Sequence, residues 1–208
     1  MIAAITLALV ALVAGQATIA AAAHDEAAPA DLAPAIRALI APGGARATVS
    51  GTRIDFWFVK ALPLKGTALS WTVMEEGTLV GAVRLSSEAR DIRGRLIKPG
   101  TYTLRYGIQP QNGDHLGVSP FRDFLLLSPA AIDTNAAARG HEPTVEMSTK
   151  TAGGSHPAVW SIDPPLATGA ALTTHTTELG HSALVVEVPT SGAGPLRFGI
   201  VLVGRVDA

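Results

Sequence analysis

The sequence predicts an all-β protein: an antiparallel β-sandwich, immunoglobulin-like or jelly-roll-like, with an N-terminal apolar helix and one short helix before it. Three observations carry this expectation. From Ala45 onward, apolar and polar residues alternate with period two in short runs rich in Val, Ile, Thr, Phe and Tyr. Gly and Pro punctuate those runs closely, with 21 Gly and 14 Pro in 208 residues. No helical period falls between the runs, so the crossover helices of a parallel sheet are missing.

Residues 1–23 carry no charged side chain. Ile2 to Ala14 is an apolar stretch, and Ala20 to Ala23 supplies small residues before His24, the pattern of a secretory signal peptide. The alternative is an N-terminal membrane anchor, since 23 helical residues rise about 35 Å. Both place the rest of the chain outside the cytoplasm, periplasmic or secreted, with membrane contact only through residues 1–23 when these are retained. Residues 24–44 read as an Ala/Pro linker with a short helix over Leu32 to Ile40, capped by Asp31 and stopped by Pro42-Gly43-Gly44. Residues 45–208 are the β-sandwich domain.

Within that domain, Ala47 to Val59 reads as one strand bent at Gly51. Thr67 to Glu75 and Leu79 to Leu85 follow, and Ser86 to Arg95 is a polar connection. Lys98-Pro99-Gly100 turns into a strand over Thr101 to Ile108. Asn112-Gly113 centres a long loop, and Phe121 to Leu127 is the next strand. Ala130 to Gly140 is a spacer, Thr144 to Ser148 a short strand, and Thr151 to Ser155 a loop. Ala158 to Ile162 is a strand; Leu172 to Leu179 and Ser182 to Val188 form a hairpin at Gly180. Leu196 to Val206 is nearly all apolar, as expected of a central strand buried on both faces.

The run Arg93-Gly-Arg-Leu-Ile-Lys-Pro-Gly-Thr-Tyr-Thr-Leu104, extended through Gly117-Val-Ser-Pro-Phe-Arg-Asp-Phe124, resembles an element of secreted bacterial β-sandwich proteins of unknown function. There a Pro-Gly-Thr-Tyr turn launches a core strand. The resemblance covers roughly a fifth of the chain. It implies a sandwich fold and an extracytoplasmic setting, and it brings no catalytic residues with it.

Composition excludes several functions. A net charge of −1 gives no electrostatic footprint for nucleic acid. Aromatics at 5% are too sparse for base-stacking or sugar-stacking surfaces, and the absence of cysteine rules out disulfides and thiolate sites. A metal site would have to use the six histidines with carboxylates. The candidates are His24, Asp114, His115, His175 and His181; no HExxH or paired-histidine spacing supports them. His24, exposed as a new N-terminus by a cut after Ala23, has the donors for copper; a cut after Ala21 gives Ala-Ala-His, which also binds it. Asp114-His115 with Ser119 or Asp123 can be drawn as a catalytic set, but no Gly-x-Ser-x-Gly elbow presents the serine. In Phe56-Trp57-Phe58 one aromatic must face opposite the other two, which makes that strand, with Arg122 at the next rim, a candidate partner surface.

These features predict a non-catalytic extracytoplasmic module, without cofactor, acting as a structural or accessory subunit that binds another protein or a membrane complex of the cell envelope. The alternatives are a periplasmic copper- or metal-binding module using histidines and a hydrolase or carbohydrate-active enzyme.

Overall fold

The computed structural model describes residues 19–64, 70–110, 121–164, 168–192 and 194–204. In chain order the elements are β1 (Ile19–His24), α1 (Pro34–Arg37), β2 (Gly44–Val49), β3 (Thr52–Phe58), β4 (Leu79–Leu85), β5 (Ala89–Arg90), β6 (Leu96–Ile97) and β7 (Gly100–Ile108). There follow β8 (Asp123–Pro129), α2 (His141–Ala152), β9 (Ala158–Asp163), β10 (Leu172–Thr176), β11 (Ser182–Val188) and β12 (Leu196–Val203). Ten strands form one antiparallel sheet in the order β1-β2-β3-β4-β7-β8-β9-β12-β11-β10, and β5 and β6 make a separate two-stranded ribbon.

The expectation of a sandwich is corrected here, while the all-β antiparallel class holds. Every strand of the large sheet pairs with the next, so the sheet never splits into two layers. It curls until its edges, β1 and β10, lie beside each other, giving a nearly closed barrel. Aromatic rings fill the interior. Phe56 lies 6.1 Å from Phe58 and 5.7 Å from Trp160, and Trp71 lies 4.7 Å from Phe198 and 5.3 Å from Tyr106. Leu104, Leu125, Leu184 and Ile200, all fully buried, pack among them.

Several elements differ from expectation. Ala47 to Val59 is two strands, because Ser50 (φ 47°) and Gly51 (φ 87°) both adopt the left-handed region and reverse the chain as a tight hairpin. Of the strand expected over Thr67 to Glu75, residues 67–69 lie outside the described residues, and Ser70 to Glu75 form no strand: the Ser70 hydroxyl accepts from the Thr72 amide, and Trp71–Val73 form a 3-10 turn that drops Trp71 into the barrel. Ser86 to Arg95 is not a plain connection but supplies β5 and the turn to β6. Thr144 to Ser148 belongs to helix α2, not to a strand. The helix expected over Leu32 to Ile40 is a single turn, α1, with Leu32, Ile36 and Ile40 buried against the core. Ala33 rather than Asp31 is its N-cap, and Asp31 pairs with Arg84 instead.

Residues 1–18 lie outside the described residues, so the expected N-terminal helix is not shown. Residues 19–23, assigned to its end, form β1 together with His24, and β1 pairs with β2 along its whole length. Among the described residues no helix is long and apolar enough to cross a membrane. The expectation for the last strand agrees with the structure: β12 lies between β9 and β11, with Phe198 and Ile200 turned inward and Val201 buried on the outer face.

Candidate ligand groove on the outer face

Four neighbouring strands, β8, β9, β12 and β11, carry apolar residues on both faces. In β8, Leu125 and Leu127 join the interior, while Phe124 and Leu126 join a second cluster outside with Ile92, Ala183 and Val201. Val159 of β9 and Val145 of α2 pack against that outer cluster. Period-two alternation is thus apolar on both sides here, which calls for cover from something other than the barrel.

Two elements give partial cover. The first is α2. Gly140 precedes it, Pro143 sits in its first turn where a missing N–H costs nothing, and Gly153 closes it in the left-handed conformation at φ 65°. Its barrel-facing residues are Thr144, Met147, Ser148 and Thr151, spaced by three and four. The Ser148 hydroxyl donates to the Ala158 carbonyl (3.0 Å) and the Thr151 hydroxyl to the Leu127 carbonyl (2.7 Å), which fixes the helix across β8 and β9.

The second is the β5–β6 ribbon, organised by buried Asp91. One Asp91 oxygen accepts the amides of Arg93 (3.0 Å) and Arg95 (2.8 Å); the other accepts the Arg95 guanidinium at 2.9 and 2.7 Å. Gly94, at φ 76°, allows the turn. Arg95 also donates to the His156 carbonyl (2.9 Å) and to the Pro157 carbonyl. The Ile92 amide donates to Val159 (3.2 Å), and the Trp160 indole donates to Arg90 (3.2 Å). The ribbon is therefore clamped onto β9.

Between these covers runs a groove of about 270 Å³. Its floor and walls include Ile92, Phe124, Leu126, Val145 and Val159, with Pro157 beside them. Gly107 lies in the floor, and a Cβ there would collide with a Leu126 methyl, so the glycine lets Leu126 lie across the groove. The rim is polar: Arg93, Arg95, His141, Ser155 and His156. His141 Nδ1 lies 3.0 Å from Glu76 Oε1, which also accepts the Ile108 amide at 2.7 Å. Arg93 is half-buried and its guanidinium has no hydrogen-bond or ion-pair partner among the described residues. Burial, together with the neighbouring Arg95 charge, pushes its pKa down.

The residues singled out from sequence are scattered. His24 is no free terminus: its Nε2 meets the Phe56 carbonyl at 3.1 Å and its ring edge packs 4.9 Å from Trp57. The copper reading needs that nitrogen free and His24 released as a terminus by a cut after Ala23. Phe56 and Trp57 are fully buried and Phe58 partly so, which corrects the aromatic partner surface. Trp57 does face opposite Phe56, but the Glu26 carbonyl accepts its indole N–H (2.8 Å) and Arg84 sits 6.0 Å from its ring. Arg122 donates to the Gln109 carbonyl (2.9 Å), and Asp123 accepts the Tyr106 hydroxyl (2.6 Å). His175 and His181 lie across the β10–β11 hairpin, and no group of three metal-ligating side chains gathers among the described residues. Asp114, His115 and Ser119 fall outside the described residues.

Sequence reasoning missed the groove because its floor is an ordinary apolar alternation. The one available signal was Phe124-Leu-Leu-Leu127, too apolar for a strand with one wet face. No family model, curated protein or solved structure matches this chain.

Proposed function

We propose that the protein is a non-catalytic extracytoplasmic β module, an accessory subunit that binds another protein of the cell envelope through the outer groove. The observation that supports this most is the groove between α2 and the ribbon, floored by the second apolar cluster, with Ile92, Phe124 and Leu126 buried and Val145 and Val159 half-buried along it. Apolar surface built into a rigid strand pair and walled on two sides suits an apolar guest. Two of the polar groups around it are tied into structural hydrogen bonds, His141 to Glu76 and Arg95 to Asp91. The uncharged, apolar residues 1–23 support the extracytoplasmic setting, as does the resemblance carried by Arg93 to Phe124.

The test is photo-cross-linking in the native host, with p-benzoylphenylalanine replacing Ser155 on the groove rim or Glu178 in the distant β10–β11 turn. The expected result is one defined protein adduct from position 155, none from 178, and loss of the adduct when Val159→Phe fills the groove. An absent adduct at 155, or one indifferent to V159F, overturns the proposal.

A further inference from the structure

We infer that the segment of the partner protein seated in the groove carries a carboxylate, and that this carboxylate pairs with Arg93. This rests on the accessory-subunit reading and adds the chemistry of what is bound.

The argument is a census of charge around the rim. Arg95 is neutralised by Asp91, through a bidentate contact inside the ribbon. His141 is held by Glu76. Of the two rim arginines, Arg93 has no ion-paired carboxylate among the described residues, Asp91 being engaged by Arg95, and it is half-buried at the edge of an apolar floor. Its backbone is fixed by Asp91 Oδ1, so the guanidinium stem leaves the turn in a set direction. The half-buried Arg93 guanidinium keeps its donors toward solvent at the groove edge, and a carboxylate arriving with the guest can take them with planar, two-pronged geometry. An apolar guest without the charge leaves Arg93 more deeply desolvated and still unpaired. A cationic guest meets like charge.

Size favours a protein segment over a membrane lipid. A volume of 270 Å³ lies just under the ~300 Å³ at which pockets for drug-sized ligands begin, room for a few side chains and not for long acyl tails.

The test uses three probes that share one chain and differ in the head: octanoate, 1-octanol and octylammonium. Each is titrated into the 15N-labelled protein and read from the amides of Leu126, Val145 and Val159 and the Arg93 Nε–H. Octanoate is expected to bind about tenfold more tightly than 1-octanol, and octylammonium more weakly than either. Arg93→Gln brings octanoate to within about twofold of 1-octanol and leaves 1-octanol unchanged; because Arg93 has no partner to abandon, the variant keeps its melting temperature. Raising salt narrows the advantage of octanoate in the wild type. Equal binding of octanoate and 1-octanol overturns the carboxylate inference and leaves the groove reading standing. No amide response to any of the three overturns both. Native mass spectrometry of protein taken from its host supplies the remaining arm: a long-chain fatty acid at one per protein overturns a protein segment as the occupant.

Discussion

The most exacting residue in the fold is Arg105, fully buried on the outer side of β7. Asp133 accepts its guanidinium at 2.6 and 2.9 Å, and the carbonyls of Gly77 and Ala137 accept at 2.6 and 3.0 Å, with that of Asn135 beside them. The Thr103 hydroxyl donates to the same carboxylate at 2.5 Å. The network pins the segment before α2 to the barrel. Asp133→Ala strands a buried cation and is expected to cost about 3–5 kcal/mol in urea unfolding; Arg105→Leu combined with Asp133→Leu costs less, because neither charge remains. Asp163 shows the opposite economy. Burial raises its pKa above the ordinary 3.8, although the charges of His175 and His181 pull it down. The folded form therefore holds its proton more tightly than the unfolded chain. As pH rises past 3.8 the unfolded chain ionises first, and the fold loses stability until the folded carboxyl ionises too. Asp163→Asn is expected to raise the urea midpoint at pH 7, with an advantage over wild type that grows through that interval and then levels. An advantage constant with pH would contradict the assignment.

At the scale of elements, some strands were legible and others were not. Leu79–Leu85 was readable to the residue, because alternation and flanking turns state a strand directly. Helix α2 was hidden because the face it buries is Thr144, Met147, Ser148 and Thr151; its helical period is written in hydroxyls, and a hydrophobic pattern does not register them. The Ser50-Gly51 turn was hidden for another reason: serine is an unusual occupant of the left-handed position, where asparagine is the common signal. Ser50→Asn is accordingly expected to stabilise by about 0.5 kcal/mol, read as a rise in the thermal midpoint. Strand β1 bears on processing. It runs to His24, whose ring closes over Trp57, so a cut after Ala21 or Ala23 strips a barrel edge and uncovers an indole. N-terminal sequencing of the protein isolated from its own host is expected to find its start at or before Ile19. A start at Ala22 or His24 would contradict the role given to β1.

For the whole molecule, the all-β antiparallel class was legible because period two is a local property. The choice between two layers and one curled sheet was not, since a strand inside a sandwich and a strand inside a small barrel bury the same alternate residues. That choice is made by pairings distant in sequence, such as β9 with β12. The groove belongs to this scale too: Ile92, Leu126, Val145 and Val159 come from four elements, and only closure of the sheet beneath α2 and the ribbon brings them together. The central claim is that this groove is a preformed apolar binding site. Amide chemical-shift mapping with 1-octanol, a neutral apolar probe, tests it most directly. Saturable shifts confined to Gly107, Leu126, Val145, Val159 and their neighbours, abolished by Val159→Phe, are the predicted result. Shifts spread over the surface, or none that saturate, would contradict it.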